Sequence, residues 1–228
     1  MKKIISFSLW GNNPKYTTGA IKNAHLAIRY FPGWKCRYYL ANDVEDKIID
    51  SLSRFNNVEL VHMNEPGNWK GMYWRFYPAS EDDVDVMCSR DTDSRLGARE
   101  KAAVDEWLAS DRGFHVMRDH PAHCIGVLGG GFGCKRGVVR NMKELIETHI
   151  TDENRWGIDQ EFLCSIIEPM VRPTWMEHDS FYNIEKRKTD PYCRPFPTPR
   201  DRETMFFFGQ PFDANDKPEI ILTTPGVD

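Results

Sequence analysis

Short apolar runs alternate along the first half of the chain with segments in which apolar residues recur at three- and four-residue spacing. The runs predict strands, and the spacing predicts helices. The predicted strands cover residues 2–9, 35–41, 58–63 and 83–88, and the predicted helices cover residues 16–31, 44–55 and 72–77. This alternation is typical of a mostly parallel sheet covered on both faces. We therefore predict an α/β fold in which ligands bind beyond the carboxyl ends of the strands, so that loops 10–14 and 89–95 share one edge.

The second half of the chain has a less regular pattern. Its clearest element is an amphipathic helix over residues 98–110, followed by a strand over 114–119. The stretch 120–137 is too rich in glycine for a plain element, and further helices are predicted over 141–149 and 160–167. Repeated prolines after the last helix predict an extended segment that forms a lid or a wrap-around tail.

The composition limits the classes of function. The 228 residues, of which 40% are hydrophobic, suffice for one domain with a buried core. The net charge is -4 and no long basic block occurs, so a nucleic acid partner is not expected. No apolar run approaches the length of about 18 residues that a membrane-spanning helix needs. The first residues do not fit a secretory signal, and the six scattered cysteines are typical of reduced thiols, so we expect a cytoplasmic protein.

The sharpest chemical motif is Asp91-Thr92-Asp93, which directly follows a predicted strand. Two carboxylates at this spacing can bind one Mg²⁺ or Mn²⁺ ion and leave other coordination positions for phosphate oxygens. A solvated turn is the alternative, with Arg90 and Arg95 acting as surface ion-pair partners. Cations at this place are also what a departing diphosphate requires.

Two further segments allow more than one interpretation. The glycines over 129–133 match neither the dinucleotide fingerprint nor a P-loop, because Cys134 breaks the spacing and no Lys-Ser/Thr pair follows. They form either a structural turn or a place where backbone approaches a substrate closely. Asp159 is either the N-cap of the following helix or, with Gln160, a ligand of sugar hydroxyls or of a reacting carbon.

Taken together, these segments resemble the GT-A superfamily of nucleotide-sugar-dependent glycosyltransferases. The resemblance runs over residues 4–182 and rests on SFSLWG, VDVMCSRDTDSR, AREKAAVDEWLAS, FHVMRDHPAH, VLGGGFGCKRG and WGIDQEFL, in this order. It is strongest for small transferases of bacterial surface-polysaccharide clusters and of algal-virus capsid-glycan systems. It implies one GT-A-like domain over 1–228, with a nucleotide-binding half over 1–95, an acceptor and sugar half over 96–182 and a Pro-rich tail or lid over 183–228.

The resemblance also assigns roles to residues. It implies that Asp91 and Asp93 hold Mn²⁺ or Mg²⁺, with His178 as a third ligand, and that Asp159, Gln160 and Asp119 are catalytic. The implied donor-binding residues are Ser6, Phe7, Leu9, Trp10, Gly11, Arg75, Arg90, Asp91, Thr92, Asp93, Arg118, Gly130 and Gly131. Lys186, Arg187 and Lys188 are either a diphosphate clamp on the tail or a solvated basic face.

The expected function is therefore metal-dependent transfer of a sugar from a nucleotide-diphosphate sugar, with UDP-sugar favoured, to a hydroxyl of a glycan acceptor. The pair Asp159-Gln160 favours a retaining course; in an inverting course Asp159 or Asp119 would be the base. One alternative is a phosphatase of the haloacid-dehalogenase type, although Ser94 replaces its usual Thr or Val and the motif lies far from the N-terminus. Another is a nucleotide-sugar-binding module without turnover.

Overall fold

The computed structural model describes residues 1–150, 157–181, 183 and 185–221. Within these residues the strands form one eight-stranded sheet. They are β1 (Lys3–Leu9), β2 (Lys35–Leu40), β3 (Val58–His62), β4 (Val86–Ser89), β5 (Phe114–Arg118), β6 (Phe132–Lys135), β7 (Trp175–Asp179) and β8 (Cys193–Arg194). Their order across the sheet is β3-β2-β1-β4-β6-β5-β7-β8. All pairings are parallel except the two that β6 makes with β4 and β5.

Helices cover both faces of this sheet. They are α1 (Pro14–Tyr30), α2 (Asp46–Ser53), α3 (Gly71–Trp74), α4 (Ala98–Ala109), α5 (Met142–His149), α6 (Ile158–Phe162) and α7 (Glu168–Val171). A π-helical turn over Leu163–Ile167 joins α6 to α7, and 3-10 turns lie at Tyr77–Ser80, Arg172–Thr174 and Lys186–Lys188. No helix in the described ranges is long and apolar enough to cross a membrane.

The residues that precede α1 explain where this helix begins. The Asn13 side chain accepts a hydrogen bond from the backbone N–H of Lys15 at 3.0 Å, and Pro14 occupies the first turn, where its missing N–H costs nothing. Small residues of α1 then face the sheet, and a Cβ at Gly19 would overlap the carbonyl of Thr92. The first helix therefore packs directly against the loop that carries Asp91 and Asp93.

Two apolar clusters, one on each face, hold the sheet between the helices. Ile5, Phe7 and Leu9 of β1 belong to the cluster shared with α1 and α4, whereas Ile4 belongs to the cluster around α3, α5 and α6. Alternation along β1 turns Ser8 toward α3, where its Oγ accepts the backbone N–H of Arg75 at 3.0 Å. The side chains of β1 are thus divided between packing and the support of α3.

The predicted α/β class and the mostly parallel sheet are confirmed, and β1 and β4 pair in parallel, so that the loops after them share one edge. Three strands were not predicted: β6, β7 and the two-residue β8. The stretch 120–137 contains β6, in which a Cβ at Gly133 would come within 2.8 Å of the Trp107 ring, so glycine is needed for the helix to pack there. The strand β7 carries buried charges that hide its strand pattern, since Glu177 and Asp179 pair with Arg118.

The tail packs on the domain as far as the structure describes it. Phe208 and Phe212 are buried, and their backbone N–H groups donate to Asp119 Oδ2 and to the carbonyl of Asp93, both at 2.9 Å. Over residues 185–221 this packing is the one expected of a wrap-around tail. Residues 222–228 of the predicted tail, and Trp156 of the motif before α6, lie outside the described residues.

Candidate active site

The candidate site lies where the carboxyl ends of β1 and β4 meet. Ser6 of β1 is opposite Ser89 of β4, so the chain leaves both strands at one edge. After β4 it turns sharply, because Ser94 N and Ser94 Oγ both donate to the carbonyl of Asp91, at 3.3 and 2.9 Å. This turn presents Asp91, whose side chain is 44% exposed.

Arg75 joins two of the predicted site residues. Its Nη1 donates to Asp91 Oδ1, and its Nη2 donates to Asp159 Oδ2 at 2.8 Å. Asp159 is buried at the first turn of α6, and its burial raises its pKa, which Arg75 opposes. Two segments 68 positions apart in the chain, at positions 91 and 159, are therefore brought together by one guanidinium.

The glycine turn closes over this group. A Cβ at Gly129 would come within 2.5 Å of Arg75 Nη2 and of Gln160 Nε2, and a Cβ at Gly130 would overlap the Asp91 carboxylate. Ser89 Oγ donates to the carbonyl of Gly129 at 2.5 Å and fixes the turn. The glycines are thus needed for close approach to the carboxylates and to Arg75, and Gly131 packs against Leu128 instead.

Asp93, the second carboxylate of the motif, has a partner that the sequence analysis missed. Lys15 Nζ lies 3.2 Å from Asp93 Oδ2 and 2.8 Å from Oε2 of Glu219 in the tail. Burial and the neighbouring charge of Asp91 raise the pKa of Asp93, and Lys15 opposes that rise. The position of Lys15 just after the loop that follows β1 was a usable signal, because that loop was expected at the ligand-binding edge.

Several residues expected to bind the donor are inside the fold. The side chains of Ser6, Phe7, Leu9 and Thr92 are buried, so they do not line an open site. The burial of Ser6, Phe7 and Leu9 follows from the position of β1, an inner strand whose side chains pack on both sides, and the donor-binding role of these residues stays a prediction.

Trp10 and Gly11 lie beyond the end of β1 and remain at the edge. Trp10 is half-buried and packs with Trp74, and Gly11 has a positive φ of 66° and donates its N–H to Asp43 Oδ1 at 3.0 Å. The left-handed conformation at Gly11 is one that glycine adopts without cost.

Arg90 does not reach the donor edge. It is 1% exposed, its Nε donates to Glu100 Oε2 at 3.2 Å, and its Nη1 donates to the carbonyls of Ser89 and Phe132 at 2.6 and 3.1 Å. In the structure Arg90 joins α4 to the sheet, and its contact with a donor stays a prediction.

Arg118 and Asp119 are likewise held in internal networks. Arg118 pairs with Glu177 and, at 2.5 Å, with Asp179. Asp119 is 0% exposed and accepts from Arg99 at 2.8 Å, from Ser180 Oγ at 2.6 Å and from the Phe208 N–H. Burial raises the pKa of Asp119, but these donors outweigh it and hold the pKa below its ordinary value. In this arrangement the Asp119 carboxylate joins β5 to α4 and the tail, and its catalytic role stays a prediction.

His178 is not brought to Asp91 and Asp93. Its Nδ1 is 2.7 Å from His115 Nε2, and its Nε2 is 3.2 Å from Glu106 Oε2. Within the described residues no group of three His, Cys, Asp or Glu side chains could hold a metal ion. The strand β7 turns His178 toward α4, and its role as a third metal ligand stays a prediction.

The basic segment after β7 forms ion pairs of its own. Lys186 pairs with Glu177, and Lys188 Nζ is 2.5 Å from Glu185 Oε2. The side chain of Arg187 lies outside what the structure describes. The diphosphate-clamp interpretation receives no support from these partners.

Structural comparison then relates this arrangement to known folds. The sequence matches no protein-family profile and no curated protein. A glycosyltransferase involved in the glycosylation of the major capsid of PBCV-1 is similar over 78% of this chain and 82% of that chain, with 16% identity and a TM-score of 0.52. The enzyme 4-diphosphocytidyl-2C-methyl-D-erythritolsynthase from Anaerococcus prevotii is similar over 79% of this chain and 90% of that chain, with 9% identity and a TM-score of 0.53. The glycosyltransferase GlyE of Streptococcus pneumoniae is similar over 77% of this chain and 44% of that chain, with 12% identity and a TM-score of 0.50.

The chain has a GT-A-like fold. The expected nucleotide-diphospho-sugar transferase architecture is thereby confirmed, at identities that establish the fold alone. Both glycosyltransferases and a nucleotidyltransferase share this fold. The chemistry of a GT-A-like chain therefore has to be argued from its site.

The GT-A-like site offers ligand atoms that suit a hard divalent cation. Asp91 and Asp93 offer carboxylate oxygens, the ligand type that Mg²⁺ and Mn²⁺ prefer, and Asp91 is open to solvent. Each carboxylate has a cationic side chain beside it, Arg75 or Lys15. In this chain the residues fit such an ion, provided that these cations can leave.

Proposed function

We propose that this chain is a metal-dependent glycosyltransferase that moves a sugar from a nucleotide-diphosphate sugar, with UDP-sugar favoured, to a hydroxyl of a glycan acceptor. The observation that supports this most is the placement of Asp91, Arg75 and Asp159 together under the glycine turn of a GT-A-like fold. The similarity in fold to a glycosyltransferase involved in capsid glycosylation supports sugar transfer as the reaction class.

Asp91 and Asp93 would hold the Mn²⁺ or Mg²⁺ ion in this proposal. When bound, such an ion acts as a Lewis acid on the diphosphate leaving group. The chain's own cations, Lys15 and Arg75, stand beside the same carboxylates and would offset the charge of the departing nucleotide.

Gln160 and Asp159 would face the donor sugar. Nine buried side-chain atoms of the described residues have no hydrogen-bond partner, and two of them, Gln160 Oε1 and Arg75 Nε, belong to this site. Buried polar atoms are seldom left unpaired, so a bound sugar hydroxyl is a suitable partner for them. This argument favours a polyhydroxylated ligand over a simple phosphate ester.

We propose a retaining course, which the state of the carboxylates supports. The acceptor oxygen forms a bond to the anomeric carbon, the bond from that carbon to the phosphate oxygen breaks, and the nucleoside diphosphate leaves. Asp119 is enclosed by donors and Asp159 is paired with Arg75, so neither is well placed as a base. The acceptor proton then passes to the leaving phosphate oxygen on the same face.

We also propose a cytoplasmic location. All six cysteines lie in the described part of the chain and are free thiols. Free thiols are typical of proteins kept in a reducing compartment.

A panel of nucleotide sugars and glycan acceptors with Mn²⁺ tests the proposal, with release of nucleoside diphosphate and product mass as readouts. We expect turnover with at least one donor, and its loss in Asp91→Asn. The anomeric configuration of the product, read by NMR, tests retention.

Three other outcomes would contradict the proposal. Release of pyrophosphate from a nucleoside triphosphate would indicate a nucleotidyltransferase, and Asp91-dependent release of phosphate from a phosphomonoester would indicate a phosphatase. Donor binding without transfer or hydrolysis across the panel would indicate a binding module.

A further inference from the structure

Each carboxylate of the Asp91–Asp93 pair has its own cationic partner. Arg75 Nη1 contacts Asp91, and Lys15 Nζ lies 3.2 Å from Asp93. Both cations are largely enclosed, with side chains 11% and 21% exposed.

Each cation is also held by a second acid outside the pair. Arg75 Nη2 donates to Asp159 at 2.8 Å, and Lys15 Nζ donates to Glu219 at 2.8 Å. A cationic side chain that is paired with two acids can lose contact with one of them and still be held by the other. The second acids therefore keep Arg75 and Lys15 at the site after they lose contact with Asp91 and Asp93.

A divalent ion and these side chains compete for the same oxygens. Two like charges within about 4 Å repel strongly in a partly buried site, so the ion and the two cations cannot all contact the carboxylates. A diphosphate brings negative charge to the same edge, and ammonium and guanidinium groups are suitable partners for phosphate oxygens.

We propose that Lys15 and Arg75 are exchangeable counter-ions of the Asp91–Asp93 pair: they leave the carboxylates when a divalent cation binds and then bind the diphosphate. The inference rests on the proposed function and adds to it a coupling between the two ligands. Because linkage is reciprocal, the diphosphate strengthens binding of the cation by the same factor as the cation strengthens binding of the diphosphate.

Opposite changes in two affinities test this exchange. Titration with Mn²⁺, followed by the electron paramagnetic resonance of the free ion, gives the affinity for the metal alone. Calorimetry with inorganic pyrophosphate at saturating Mn²⁺ gives the affinity for a diphosphate without a base or sugar. We expect Lys15→Gln and Arg75→Gln to bind Mn²⁺ about tenfold more tightly and pyrophosphate about tenfold more weakly.

A matched control lies on the same helix. Lys22 pairs with Asp216 of the tail, so Lys22→Gln removes one positive charge from α1 without touching the carboxylate pair. We expect it to leave both affinities unchanged. Lys15→Gln decides the question where Arg75→Gln unfolds because Asp159 loses its buried partner.

The possible outcomes distinguish a failure of the proposed exchange from a failure of the proposed metal site. Equal Mn²⁺ affinity in the wild type, Lys15→Gln and Arg75→Gln, with loss in Asp91→Asn, overturns the exchange but keeps the metal site. A parallel fall of both affinities in the two variants also overturns it, since they would then only support the fold. Absence of Mn²⁺ binding in all of these proteins overturns the metal site itself.

Discussion

Replacing Asp119 with Asn separates a structural role of this residue from a catalytic one. The carboxylate is fully buried and accepts two hydrogen bonds of 2.8 Å from Arg99, one from Ser180 and one from the Phe208 N–H. These contacts join α4, β5 and the tail. The change keeps the shape of the side chain, removes its charge and turns an NH₂ group toward one of these donors.

The expected loss of stability follows from the burial of the pair. Removing one partner of a buried ion pair costs about 3–5 kcal/mol. The Arg99 side chain is 17% exposed, so water compensates part of the lost pairing. We expect the free energy of unfolding to fall by about 2–4 kcal/mol, which lowers the melting temperature by roughly 5–15 °C for a chain of this length.

The loss should also depend on pH with a defined sign. The pKa of Asp119 is lower in the folded chain than its ordinary value, so its ionised form stabilises the folded state. That contribution is fully present above the unfolded pKa of about 3.9 and is lost as the pH falls through the lower, folded pKa. The difference between the wild type and Asp119→Asn should therefore be constant near neutral pH and shrink below about pH 4.

Urea unfolding followed by tryptophan fluorescence at several pH values measures this difference. Asp105→Asn is the control, because Asp105 forms an exposed pair with Lys101 and should contribute less than about 1 kcal/mol. An Asp119→Asn protein with wild-type stability and no turnover would refute the structural role and restore the catalytic one.

Two further predictions concern the site itself. Gly130→Ala places a methyl group on the Asp91 carboxylate, so we expect calorimetry to show at least about tenfold weaker Mn²⁺ binding; Gly97→Ala, where nothing lies within 4 Å of the added carbon, is the control and should bind normally. His178→Gln should leave Mn²⁺ affinity unchanged and lower the free energy of unfolding by about 1–3 kcal/mol, since His178 bonds to His115 and Glu106. Weaker Mn²⁺ binding in His178→Gln would instead support its predicted role as a metal ligand.

The sequence predicted the elements whose pattern is local. The alternation of apolar runs and helical spacing located β1, β2, β3 and the helices α1, α2 and α4 within a few residues. It failed at β6 and β7, because Gly133 in the first and the buried acids of the second remove the apolar pattern. In both strands these residues are required by a partner distant in the chain: Gly133 leaves room for the Trp107 ring, and the acids of β7 pair with Arg118.

The candidate site was predicted in part. The Asp91–Asp93 motif, Asp159 and Arg75 were chosen from the sequence, and the structure brings Asp91, Arg75 and Asp159 together. Arg90 was chosen for its place beside the acidic motif, and Arg118 and Asp119 were implied by the resemblance; the structure buries all three side chains. Lys15 was not chosen, although it lies just after the loop that follows β1, because its ion pair joins it to Asp93 in a distant part of the chain.

The sequence by itself determined that the chain is an α/β protein with an acidic motif at the end of a strand. Both follow from periodicity and from the order of residues along the backbone. Only the tertiary structure decided which charged side chains remain accessible and which neutralise one another inside, because ion pairs such as Arg99–Asp119 and Arg75–Asp159 join residues 20 and 84 positions apart. Burial and pairing of charge depend on how distant segments pack, and this packing assigns Asp91 to the open edge and Asp119 to the interior.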